Sequence, residues 1–135
     1  MCGVNNLSKH AYCAGCILAL LGVVFGAFGQ HALSELLQGN GYMSTYKAAV
    51  SYQFYHALGL LFLGLYSQWQ VNIRYLRAAI YVMLLGTLVF SGSLYALTLT
   101  GIKGLGAITP LGGVMLIVAW SLVIVNVLKQ ENSSV

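Results

Sequence analysis

Aspartate is absent from this 135-residue chain, and glutamate occurs only at Glu35 and Glu131. Charged residues of both signs amount to 6%, whereas an average soluble domain carries roughly a quarter. A chain so poor in charge has no polar coat for water, which excludes a soluble enzyme and a disordered tail. Its three cysteines, Cys2, Cys13 and Cys16, are too few and too closely placed for a disulfide scaffold. No GxxxxGK[ST], GxGxxG or HExxH motif occurs, so the common phosphate, dinucleotide and zinc-protease signatures are missing. With no acid near Ser91 or Ser93, a serine-hydrolase triad cannot be assembled either.

What the chain does have is long stretches without charge. The eight charged residues leave uncharged runs at 10–34, 48–73, 78–102 and 104–128, of 25, 26, 25 and 25 residues. A hydrocarbon core of ~30 Å needs about 20 helical residues. The arithmetic predicts one domain, an all-α integral membrane four-helix bundle with short loops. Its spans are expected at about 10–33, 45–67, 76–100 and 107–128, with a short interfacial segment after the first helix. The apolar stretch 11–28 exceeds the usual h-region of about 7–15 residues, so the first span reads as retained, not as a cleaved signal.

The net charge of +4 is carried by six basic residues scattered over the hydrophilic segments. Nucleic-acid binders cluster such charge, so nucleic acid is excluded as a partner and the bilayer is the expected one. Four spans place Lys9, Arg74, Arg77 and Lys129 on one side, with Lys47 and Lys103 on the other. The positive-inside rule then puts both termini in the cytoplasm. Tyr42 and Tyr46 before the second span, and Tyr66, Trp69 and Tyr75 after it, read as interfacial belts.

Small residues mark where helices approach. In the first span Gly15, Ala19, Gly22, Gly26 and Gly29 make one stripe, and GVVFG within it matches GxxxG. In the third span Ala79, Gly86, Ser93 and Thr100 recur at intervals of seven, implying a left-handed crossing. Gly39-Asn40-Gly41 ends the interfacial piece, Ser44 is the expected cap of the second span, and Pro110 suits a first helical turn. Cys13 and Cys16 form a C-x-x-C without the second pair or histidine that zinc needs, and read as small packing residues.

Depth follows from counting along each helix at ~1.5 Å per residue. Centres near Gly22, Leu58, Val89 and Val118 put Gln30, His31, Gln53, His56, Ser91, Ser93, Tyr95 and Thr109 in the outer half of the bundle. Hydrocarbon cannot satisfy such groups, so they are expected to face one another as a polar cluster. Interhelical hydrogen bonding is one reading of it. The other is a small-solute or proton site with His56 as its titratable member, although no span holds an acid to partner it. A redox or quinone-binding subunit would rest on the histidines and tyrosines alone. A haem held between His31 and His56 is excluded because their depths differ by ~10 Å, and no cofactor is expected.

Four ordered segments, GAFGQHAL (26–33), YKAAVSYQFYHALGLL (46–61), FSGSLYALTLTG (90–101) and LGAITPLGG (105–113), carry a resemblance. Together they resemble the small membrane proteins called domain of unknown function 423, or uncharacterised protein family 0382. Gln30 departs from that pattern, which more often has alanine there. The resemblance implies a multi-pass protein of the bacterial cytoplasmic membrane and supplies no reaction or ligand. It draws attention to His31, Gln53, His56, Ser91, Ser93, Tyr95, Thr109 and Pro110, types found in the family's blocks. The expected function is a structural or accessory role, within a homo-oligomer or larger membrane complex, with transport through the His56 cluster as the alternative and no enzymatic activity. Single cysteines placed at positions 39 and 72 are expected to react with impermeant thiol reagents from opposite sides; labelling of position 39 from the cytoplasm would invert the topology.

Overall fold

The first helix starts at its cap. Asn5 accepts a hydrogen bond from the Ser8 amide at 2.7 Å, satisfying one of the N–H groups that a helix start leaves open. In the computed structural model, which describes residues 5–70 and 73–131, α1 runs Asn6–Gln30. It therefore begins a turn before the expected residue 10 and ends before 33. Lys9 does not bound it; its side chain lies on the exposed face inside the helix. Cys2 and Asn72 lie outside the described residues.

After a tight turn, α2 spans Ser34–Gly39, the short segment expected next to the membrane surface. Gly41, at φ +71°, reverses the chain in a conformation that side chains resist. The entry to α3, Met43–Tyr66, is fixed by backbone bonds: Tyr42 N–H donates to Leu37 O at 2.8 Å and Tyr42 O accepts from Tyr46 N–H at 2.9 Å. Ser44 is thus inside the first turn and caps nothing, because Tyr42 occupies the cap position. A 3-10 turn, Ser67–Trp69, closes α3. α4 runs Arg74–Thr100 and stops at Gly101, φ +71°, whose N–H returns to Leu97 O at 2.8 Å, the left-handed helix stop that glycine permits. A second 3-10 stretch, Lys103–Ala107, leads to α5, Thr109–Glu131, with Pro110 in its first turn.

Four of these helices are long and apolar enough to cross a membrane. The protein is an all-α membrane bundle. Its main interfaces follow chain order: α1 packs on α3, α3 on α4 and α4 on α5. About 22% of the α1 and α5 span windows is buried, against 44% and 39% for α3 and α4. The first and last spans are therefore the outer helices. Ile17, Leu20, Phe62, Leu85, Ile117 and Ile124 face outward, while Ala57, Leu60, Leu63, Leu76, Ile80, Met83 and Ala119 fill the centre.

Lipid tails are as apolar as leucine, so close packing and hydrogen bonds must hold the helices together. The α1 stripe provides the packing toward α3: Gly15 lies under Leu61 and Ala57, Gly22 under Phe54, and Gly29 under the Tyr46 ring. Ala19 and Gly26 are half-buried beside it. On α4, Ala79, Gly86 and Ser93 are buried, Gly86 against Met115 and Leu116 of α5. Thr100 breaks the expected series; it is exposed and bonds its own Ala96 O at 2.6 Å. It sits in the last turn, beyond the level where α5 has begun. Cys13 and Cys16 also depart from expectation, being exposed thiols on the lipid side of α1.

The tightest approach onto a backbone is Gly112 of α5 on Phe90 of α4, where an added Cβ would collide with main-chain atoms that cannot rotate away. Gly112→Ala is expected to lose about 1–3 kcal/mol. Gly92→Ala, where a Cβ meets nothing within 4 Å, should leave stability unchanged or slightly raised. Unfolding in detergent checks both, and equal behaviour of the two variants would reject the contact.

Candidate functional site

Gln53 lies next to the midpoint of α3 and is 3% exposed. Its Nε2 donates to Leu18 O of α1 at 2.8 Å, and its Oε1 accepts from Tyr95 Oη of α4 at 2.8 Å. One amide thus joins three helices. Toward α2, Tyr46 Oη donates to Phe25 O at 2.8 Å, and Ser91 Oγ of α4 donates to Ala49 O of α3 at 2.9 Å. In each case a side chain uses the second lone pair of a helical carbonyl on its neighbour. The Tyr95 ring stands edge-on to Phe25 and Tyr46, centroids 5.0 and 5.3 Å away.

A second polar group faces α5. Trp120 Nε1–H, which can only donate, reaches His56 Nε2 at 3.3 Å. The proton of a neutral His56 is therefore on Nδ1, which donates to Tyr52 O at 2.7 Å. Further along, Ser93 Oγ lies 2.7 Å from Thr109 Oγ1 and donates to Phe90 O at 2.9 Å. Since Ser93 has one hydroxyl hydrogen, Thr109 supplies the proton between the two side chains.

Two recesses follow from this division. One, of about 130 Å³, lies between α1 and α4 over Gln53, Ser91 and Tyr95. The other, of about 540 Å³, lies between α3 and α5 along Tyr52, His56, Phe90, Ile117 and Trp120. The eight expected residues consequently do not form one cluster. Gln53, Ser91 and Tyr95 meet on the α1 side, and His56, Ser93 and Thr109 on the α5 side. Gln30 and His31 are exposed at the end of α1 and join neither. The α3 bounds centre that helix between Phe54 and Tyr55, so Gln53 and His56 lie on either side of the helix midpoint. The centre of the first span shifts because Lys9, expected to precede the helix, lies inside it. Tyr46, expected at a membrane surface, is buried and bonded.

A polar group at the opposite end was missed by the sequence reading. Asn5 Nδ2 donates to Ser67 O at 3.1 Å, Ser8 and Ser67 hydroxyls both donate to Gly64 O at 2.8 Å, and Gln68 Nε2 reaches Ser8 Oγ and Tyr12 Oη at 3.3 and 3.4 Å. The Asn-x-x-Ser spacing at 5–8 was its available signal, a helix cap preceding Lys9. Nearby, His10 Nδ1 lies 3.0 Å from Tyr81 Oη, and Lys129 Nζ donates to Tyr75 Oη at 2.7 Å. Among the described residues, Asn126 Nδ2 is the buried side-chain atom left without a hydrogen bond.

The profile of a family described as protein of unknown function (DUF423) matches residues 25–113. The chain belongs to this family. Its DUF423 segment contains every side chain of the two polar groups except Trp120. A UPF0382 membrane protein of Staphylococcus epidermidis is 43% identical over 116 residues, covering 85% of this chain and 92% of the relative. The UPF0382 membrane protein YwdK of Bacillus subtilis is 42% identical over 115 residues, with 85% and 93% covered. A Staphylococcus saprophyticus relative of the same description is 40% identical over 116 residues, with 85% and 93% covered. No solved structure matches. The DUF423 chain described here is therefore a multi-pass membrane protein of an uncharacterised family.

Because Gln53 and Tyr95 bond each other, their effects should not add. An intramembrane hydrogen bond contributes about 0.6 kcal/mol on average, so Gln53→Leu, which removes two and strands the Tyr95 hydroxyl, should cost about 1–2 kcal/mol. Tyr95→Phe added to Gln53→Leu should then cost little more. A double-mutant cycle with zero coupling would remove the bond from the account.

Proposed function

We propose that the protein is a structural or accessory component of the bacterial cytoplasmic membrane, with both termini inside and no catalysis of its own. It acts as one part of an assembly of further copies or of a larger membrane complex. The observation that carries this reading is the pairing of the interior polar side chains. Gln53, His56, Ser91, Ser93 and Tyr95 each bond a neighbouring helix or their own backbone. Groups so engaged hold helix register, whereas a conduction path needs polar groups free to exchange partners with water or solute. The bacterial relatives, all named membrane proteins, support the location. The excess of Lys9, Arg74, Arg77 and Lys129 at the end holding the described termini supports the orientation.

Transport of a proton or small solute is the competing reading, and the recess beside His56 favours it. His56→Ala separates the two. Under the structural reading the variant melts at lower temperature in detergent, and any cellular phenotype falls only as protein abundance falls. Normal abundance combined with loss of a pH-dependent flux in liposomes would replace the structural reading with transport.

A further inference from the structure

At the α2 end of the bundle, α1 and α3 part around a crevice of about 250 Å³. Gly26 and Gly29 give the α1 wall little side chain, and Val50 and Met43 make the α3 wall apolar. Besides Tyr46, whose hydroxyl is already bonded to Phe25 O, three residues with polar side chains line the same space: Gln30, Lys47 and Ser51. None of them has a hydrogen-bond or ion-pair partner among the described residues. Glu35, the acid at this end, is exposed on α2 and is not part of the lining.

A cation and two neutral donors around one space, with no carboxylate among them, suit an oxyanion. Depth narrows the choice. Lys47 and Ser51 follow Met43 by one and two turns, ~6 and ~12 Å along the axis, which is the passage from headgroup region to hydrocarbon. We infer that this crevice binds the phosphate of an anionic phospholipid, Lys47 carrying the charge contact and Val50 and Met43 meeting the start of the acyl chains. A free phosphate ion shares the headgroup chemistry but would gain nothing from the apolar wall.

Native mass spectrometry and thermal unfolding of the full chain in mild detergent test the assignment. The probes are dioleoylphosphatidylglycerol, dioleoylphosphatidylcholine and inorganic phosphate. Phosphatidylglycerol should bind and raise the melting temperature, and the other two should do neither. Lys47→Ala should weaken that binding about ten-fold, the worth of one charged hydrogen bond. Lys47→Arg should retain it, as should Lys103→Ala, which removes a cation from the same end but outside the crevice. Equal binding of phosphatidylcholine or of phosphate alone would overturn the proposal. So would an unchanged Lys47→Ala, or a Lys103→Ala as weak as Lys47→Ala.

Discussion

Hydrocarbon offers no hydrogen bonds, and the interior of this protein is organised around that fact. Tyr46, Gln53, Thr87, Ser91 and Tyr95 each find a partner on a neighbouring helix or on their own backbone. Gln53 meets the requirement most economically, giving a proton to α1 and accepting one from α4 while anchored in α3. Once it is placed, the rotation of α1, α3 and α4 about their axes is set, since turning any of them would strand an amide or a hydroxyl.

Those bonds depend on how closely the backbones approach. A side chain can reach the carbonyl of a neighbouring helix only where the intervening residues are small. Gly22 provides this beside Gln53 and Phe54, and Gly29 provides it where the Tyr46 ring crosses α1. On the other side, Gly112 rests on the Phe90 backbone and brings Thr109 to Ser93. Small residues and hydrogen bonds are thus two halves of one device, the first setting the distance that the second requires.

The spans could be read from the sequence because lipid penalises charge strongly enough to write itself into the spacing of lysines and arginines. Their ends were less legible. Lys9 sits inside α1, where its long stem lets the ammonium reach the surface, so the charge-free run marked the wrong start for that helix. The polar residues were visible as types, but their grouping was not. His56 and Gln53 are one turn apart on α3, yet His56 turns to Trp120 and Gln53 to Leu18. Which neighbour each meets depends on the order of helices in space, which no local pattern encodes. Ser44 and the two span cysteines failed for related reasons: a cap works only if the chain enters from the right direction, and small size does not decide which face is covered.

The chain-order packing has a consequence for biogenesis. α3 packs on α1, α4 on α3, and α5 on α4, the last being the most extensive of the three interfaces. Each span after the first therefore has a packing partner that precedes it in the chain, and α1 alone has to wait for a later segment.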